Sequence, residues 1–257
     1  MNRSAVAWLL LVIGCEGTLP PLRKVGEAGK DPIVLFVGGD EAGQADLFAV
    51  PASGGEVTQL TFSGLSETRP ALSPDGGGVA FLRGASPGDS ATGALWVMNL
   101  LSGAEREVRL PKGAGAPARV GWSADGRSLI AATANGLYRA PAPPENGPAM
   151  PVPADERAAA ESSLAVLLGS PAFARVTPCA RRTDLCAVGD TGAPALLAEN
   201  ARDPARWGSD SVAYFVGDEL VVRPLGPGGE RQIELRHAPA RPREPTVFPG
   251  AAPSLPP

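Results

Sequence analysis

A hairpin unit recurs along this chain, and it constrains the fold more than any other feature. Residues 69–82 read Arg-Pro-Ala-Leu-Ser-Pro-Asp-Gly-Gly-Gly-Val-Ala-Phe-Leu, and residues 118–131 repeat the pattern around Ser123-Ala124-Asp125-Gly126. A short apolar run enters the turn Ser73-Pro74-Asp75-Gly76 and a second apolar run leaves it. Ser at the first position, Pro at the second and Gly at the fourth are the preferences of a type I turn. Pro presets φ for the first corner, and Ser or Asp hydrogen-bonds the local backbone. Flanking runs rich in Val and Phe read as the two strands of a hairpin. A repeat with a period of about 40 to 50 residues indicates a propeller or a solenoid. Gly (32) and Pro (28) are abundant, but they fall mostly between apolar runs and so punctuate turns.

Taken in order, residues 33–37 (Ile-Val-Leu-Phe-Val) read as a buried strand by length and β-branched content. Two more strands follow, residues 45–50 and 56–61, divided by the turn Ala52-Ser53-Gly54-Gly55. Residues 69–72, 78–82, 94–99 and 105–110 supply four strands with turn signals between them. Four short strands in about 45 residues make one propeller blade. Gln59-Leu60-Thr61, the turn Ser73 to Gly76 and the strand Leu95-Trp96-Val97-Met98-Asn99 resemble the repeat of TolB-type β-propellers, most clearly over residues 33–140. A third unit starts at Arg119. A degenerate fourth is expected from residues 172–177, 184–188 and 193–197, with residues 178–183 standing in for the tight turn. A fifth runs over residues 205–235. The expected fold is all-β, a propeller of about five four-stranded blades spanning residues 32–236; a sixth blade around residues 154–170 is the architectural alternative.

The first unit lacks an opening strand. Residues 245–250 (Pro-Thr-Val-Phe-Pro-Gly) look like residues 70–75, so the Pro-rich segment 237–257 is expected to return and complete the first blade. That pairing would remove the two exposed edges of an open array. The alternative is a polyproline-like tail.

The N-terminus reads as a targeting segment. Arg3 is followed by an apolar run from Ala5 to Ile13, long enough for a signal peptide and too short to span a bilayer. It ends in Val12-Ile13-Gly14-Cys15, which resembles the lipobox of bacterial lipoproteins. The resemblance implies a signal peptide over residues 1–14, acylation of Cys15 and a tether over residues 15–31. Cys179 and Cys186 then remain as a pair, expected to be bonded in an exported chain.

The formal charge of −4 leaves no basic footprint for nucleic acid. His237, the single histidine, opens the Pro-rich segment and reads as a surface residue. Asp40, Glu41 and Asp46 read as a solvated loop, with Ca²⁺ binding as the alternative. Ser73, Pro74, Asp75, Gly76, Ser123, Asp125 and Gly126 read as turn residues, and Trp96, Trp122, Trp207 and Tyr138 as packing between blades. No catalytic residue, cofactor or metal is expected. The resemblance implies a non-catalytic binding or scaffold module at the bacterial envelope: a monomer contacting an envelope protein through one face and the membrane through lipid on Cys15. A propeller enzyme, or a protein binding a small ligand or carbohydrate in its central channel, is the alternative.

Overall fold

The computed structural model describes residues 25–27, 29–39, 44–84, 93–165, 167–170, 173–181, 183–189, 193–208, 210–225 and 228–250. The first strands are β1 (Ile33–Gly39), β2 (Ala45–Pro51), the short β3 (Gly55–Glu56) and β4 (Thr58–Gln59). Blade 2 comprises β5 (Ser66–Leu72), β6 (Gly78–Gly84), β7 (Ala94–Asn99) and β8 (Glu105–Val108). Blade 3 comprises β9 (Pro117–Trp122), β10 (Ser128–Thr133), β11 (Gly136–Pro141) and β12 (Met150–Pro151). A 3-10 turn (Ala154–Glu156) and helix α1 (Arg157–Ser162) follow. Blade 4 comprises β13 (Leu167–Ser170), β14 (Phe173–Pro178), β15 (Leu185–Val188) and β16 (Ala195–Ala198). Blade 5 comprises β17 (Ala201–Trp207), β18 (Ser211–Val216), β19 (Glu219–Pro224) and β20 (Arg231–Ile233). The chain ends in β21 (Leu235–Arg236) and β22 (Ala240–Phe248).

Four sheets run in chain order, and the fifth runs β22-β1-β2-β4, so blade 1 is assembled from both ends of the chain. β22 lies against β17 on one side and β5 on the other, and β5 lies against β9. The first strands of blades 5, 1, 2 and 3 therefore wall a central channel in succession, and the fold is a five-bladed β-propeller. A second seam is parallel: β21 pairs with β3, Leu235 opposite Gly55 and Arg236 opposite Glu56.

β1 shows why its sequence is continuously apolar. All seven of its residues are buried. Ile33, Leu35 and Val37 join Val79, Phe81 and Met98 of blade 2, while Val34 and Phe36 join Phe215, Leu220 and Val222 of blade 5. Successive side chains on a strand face opposite ways, so a strand enclosed by two neighbours must be apolar at every position. Other buried clusters join blades 2 and 3 and blades 4 and 5. On blade 3 the face turned away from blade 2 receives α1. A Cβ at Gly121 would lie 2.2 Å from the Ser163 carbonyl oxygen, so only glycine admits the helix end there. Among the described residues no helix is long and apolar enough to cross a membrane.

The channel-side strands share a local device. Arg69, Asp203 and Glu244 have φ of 55°, 54° and 51°, and each precedes a proline. At each, the pairing register to the next strand shifts. A bulge needs a residue out of the ladder, and proline, lacking an N–H, leaves no donor unpaired there.

Blade 4 departs from the expected unit. Its opening strand is Leu167–Ser170, and Phe173–Pro178 is the second strand. The connection from β14 to β15 thus lies on the rim opposite the Ser-Pro-Asp-Gly turns and does not replace such a turn. Asp184 Oδ1 accepts from the Asn200 amide at 2.9 Å, which places this loop beside the link from blade 4 to blade 5. Cys179 and Cys186 are disulfide-bonded across that hairpin.

Candidate functional site

A buried charged cluster sits at the seam between blades 1 and 2. Glu67 of β5 is fully buried. Arg83 of β6 places Nε 2.7 Å from Glu67 Oε1 and Nη1 2.7 Å from Glu105 Oε2. Its guanidinium lies 4.5 Å from the Trp96 ring centroid and 5.1 Å from that of Phe81. Burial acts to lower the Arg83 pKa, but the hydrogen bonds to Glu105 and Glu67 outweigh it and hold the group above its ordinary value.

This cluster holds a loop. Thr61 Oγ1 accepts from the Leu47 amide and donates to Glu67 Oε2, both at 2.9 Å, with Asp46 Oδ1 3.3 Å away. Ser63 Oγ donates to Glu67 Oε1 and accepts from the Leu65 amide. Gln44 Nε2 donates to the Ser63 carbonyl. Among the described residues every buried polar side-chain atom has a partner. The lone pairs of Glu67 are thus occupied by Arg83, Thr61 and Ser63, and the carboxylate acts as a clamp on residues 60–65. On that clamped loop Phe62 is 70% exposed and Leu65 44%.

The repeat turns occupy the opposite rim. Ser73 Oγ donates to Asp75 Oδ1, the Gly77 amide donates to the same oxygen at 3.0 Å, and the Gly78 amide donates to Ser73 Oγ at 2.8 Å. Blade 3 copies this with Ser123, Asp125 and the amides of Arg127 and Ser128. Gly76, at φ 67°, lets the Phe248 ring pack on the turn: a Cβ there would lie 2.6 Å from it. Between the two turns is a cavity of about 460 Å³ lined by Asp75, Asp125, Arg127, Pro144 and Glu145. The Ser73 hydroxyl and the Gly77 amide hold the Asp75 carboxyl below its ordinary 3.8, and the Ser123 hydroxyl and the Arg127 amide do the same for Asp125. A carboxyl lowered on folding contributes stability that is present above its unfolded value and lost as pH falls through its folded value. The melting temperature should therefore fall more steeply below about pH 4 in the native chain than in the Asp75→Asn/Asp125→Asn variant. Parallel acid limbs in thermal melts would remove these two groups from the account.

The other residues singled out by sequence fall as follows. Cys15, Asp40 and Glu41 lie outside the described residues. Asp46 is not in a solvated loop: it is 7% exposed and belongs to the seam cluster, because Thr61 and Gln59 close over it. Among the described residues no three His, Cys, Asp or Glu side chains gather as a metal site. His237 is exposed, with Nδ1 2.7 Å from Glu56 Oε1 beside the β3–β21 seam. Trp122 packs blade 3 on blade 2 and donates Nε1 to the Ala71 carbonyl at 2.8 Å, while Trp207 lies under Arg231. Glu67 and Arg83 were not legible as a pair, since 16 residues and a turn separate them and both fall just outside the expected strands 69–72 and 78–82, which the structure extends to Ser66–Leu72 and Gly78–Gly84.

No protein-family model and no curated protein sequence matches the chain. Among solved structures it is similar to TolB from Acinetobacter baumannii, at 15% identity and a TM-score of 0.54, over 88% of this chain and 68% of that one. It also aligns with a putative TolB from Agrobacterium tumefaciens (14% identity, TM-score 0.39, 79% of this chain and 63% of that one). A third alignment is with the periplasmic gluconolactonase PpgL of Pseudomonas aeruginosa (14%, 0.35, 87% and 70%). The first of these likenesses, with the five blades above, gives the fold as a TolB-type β-propeller.

Proposed function

We propose that this protein is a non-catalytic binding module of a bacterial envelope, tethered through lipid on Cys15, and that it holds a protein partner on the rim that carries Phe62. The observation that carries this reading is an aromatic side chain displayed on a loop that cannot relax. Phe62 is 70% exposed, yet Thr61 before it and Ser63 after it are both bonded to the buried Glu67. Exposing a large apolar group on a rigid loop gives nothing to the fold. It does suit a partner, because a preordered anchor loses little entropy on binding and aromatic anchors dominate interface energies. The TolB-type fold and the apolar N-terminal run ending at Cys15 support the envelope setting.

The test is site-specific photo-crosslinking of the full-length chain in its native envelope. A crosslinker at position 62 should give one reproducible protein adduct, and a crosslinker at Arg127 on the opposite rim should not. Phe62→Ala should weaken that partner at least tenfold, about 1.4 kcal/mol. It should change stability by no more than about 0.5 kcal/mol, as is usual for exposed sites. Identical adducts from both rims, or none from position 62, would remove the basis for this reading.

A further inference from the structure

A second cavity, of about 500 Å³, lies away from the Phe62 loop and has the makings of a small-molecule site. It opens between the α1-facing side of blade 3 and the helix, and Arg206 of β17 borders it from blade 5. Its walls are largely apolar, from Ile130, Val152, Ala159 and Ala160. Volume and lining match those of ordinary ligand pockets, about 300 to 1,000 Å³ with a few placed polar groups. The helix wall is fixed, because the Ser163 carbonyl sits against the backbone of Gly121.

The charges that line it do not cancel locally. Arg139 and Glu156 are paired with one another. Asp125 is engaged by its own turn, through Ser123 and the Arg127 amide. Arg206 donates only Nε, to the Gly208 carbonyl at 2.6 Å, and has no carboxylate partner among the described residues. The group left to meet a ligand is therefore the forked end of a guanidinium, which matches a carboxylate two bonds at a time. The wider field has the same sign. β5, β9, β17 and β22 carry six arginines on the channel wall (Arg69, Arg119, Arg202, Arg206, Arg241 and Arg243), although the whole chain has a formal charge of −4. Among the described residues only Arg69 and Arg202 of these six are ion-paired, Arg69 with Glu244 and Arg202 with Asp203 and Asp218. The same strands carry three carboxylates, Glu67, Asp203 and Glu244, so arginine is in excess by three, and an excess of one sign concentrates ligands of the other.

We propose that this cavity binds a small organic acid, its aromatic or aliphatic body against Ile130, Val152 and Ala159 and its carboxylate on Arg206. This site goes beyond the protein contact at Phe62 and does not depend on it. The test is calorimetric titration of the full chain with 3-phenylpropanoate, with the uncharged 3-phenylpropanamide, and with the tripeptide Ala-Ala-Phe bearing a free carboxylate. The acid should bind at least tenfold more tightly than the amide. Arg206→Gln should abolish that preference while leaving amide binding unchanged. Ala159→Phe, at an exposed helix position that fills the cavity, should abolish binding of both without lowering the melting temperature. The tripeptide distinguishes the source of the carboxylate: tighter binding than the acid assigns the site to peptide termini, and weaker binding assigns it to free acids. Equal affinity for acid and amide, a preference that survives Arg206→Gln, or no heat from millimolar acid would overturn the proposal.

Discussion

A chain truncated after Pro239 should not give a stable monomer. β22 supplies the innermost strand of blade 1, pairing with β1 from Ile33–Phe248 to Gly39–Ala240, and it packs between β17 and β5. Its loss leaves β1 as an exposed edge that is apolar on both faces, a template for aggregation. It also removes Phe248, 5% exposed, from the blade 1 and blade 2 core and from its contact with the Gly76 turn. Phe248→Ala alone should cost about 3 to 5 kcal/mol. That is a large share of the total stability of a domain, about 5 to 15 kcal/mol, so losing the whole strand should abolish the cooperative melt. Size-exclusion chromatography should show aggregate or expanded chain, and a synthetic peptide of residues 239–250 added in trans should restore a monomer with a thermal transition. A truncated monomer melting within a few degrees of the full chain would show that the ring does not need its C-terminal strand.

Much of this ring was legible because its strongest signals are local. Ser73-Pro74-Asp75-Gly76 and Ser123-Ala124-Asp125-Gly126 encode their turns through bonds of a few residues' reach, and the structure forms the same set in both. The likeness of residues 245–250 to residues 70–75 pointed to the closing strand for the same reason: Pro70 and Pro245 follow equivalent bulges. Blade 4 was misread because its opening strand has only four residues, while the cysteine hairpin nearby had the length and apolar flanks of a repeat turn. The seam cluster was illegible because it is long-range. Glu67 and Arg83 meet as cross-strand partners and Glu105 joins them within blade 2, but Asp46 is added only when blade 1 packs on it, and nothing in the local sequence around Glu67 marks it as buried. The uneven distribution of arginine is of the same kind: whole-chain charge conceals which strands face the channel.

That cluster leads to the other large expected effect. Glu67→Gln should destabilise the protein by about 3 to 5 kcal/mol, because removing one partner of a buried pair leaves the other charge poorly compensated. For a chain of this size that corresponds to a fall in melting temperature of roughly 6 to 20 °C. Glu105 remains to share the charge of Arg83, but it reaches Nη1, and the Nε side faces only the substituted amide. Thr61 and Ser63 lose a charged acceptor at the same stroke, so the loop should loosen and Phe62 should bind its partner more weakly although Glu67 touches neither. The double replacement Glu67→Leu/Arg83→Met decides between lost attraction and stranded charge. With both charges gone, Thr61 can donate to Asp46 and Ser63 to the Leu65 carbonyl, contacts already present in the native loop. Replacing a buried pair by apolar groups of similar volume is often neutral or stabilising, so the double variant should recover most of the lost stability while the loop stays loose. Partner binding should then remain impaired in a protein that melts near the native temperature. If the double variant is less stable than Glu67→Gln, or if Glu67→Gln melts within two degrees of the native chain, the cluster is not the clamp argued for it.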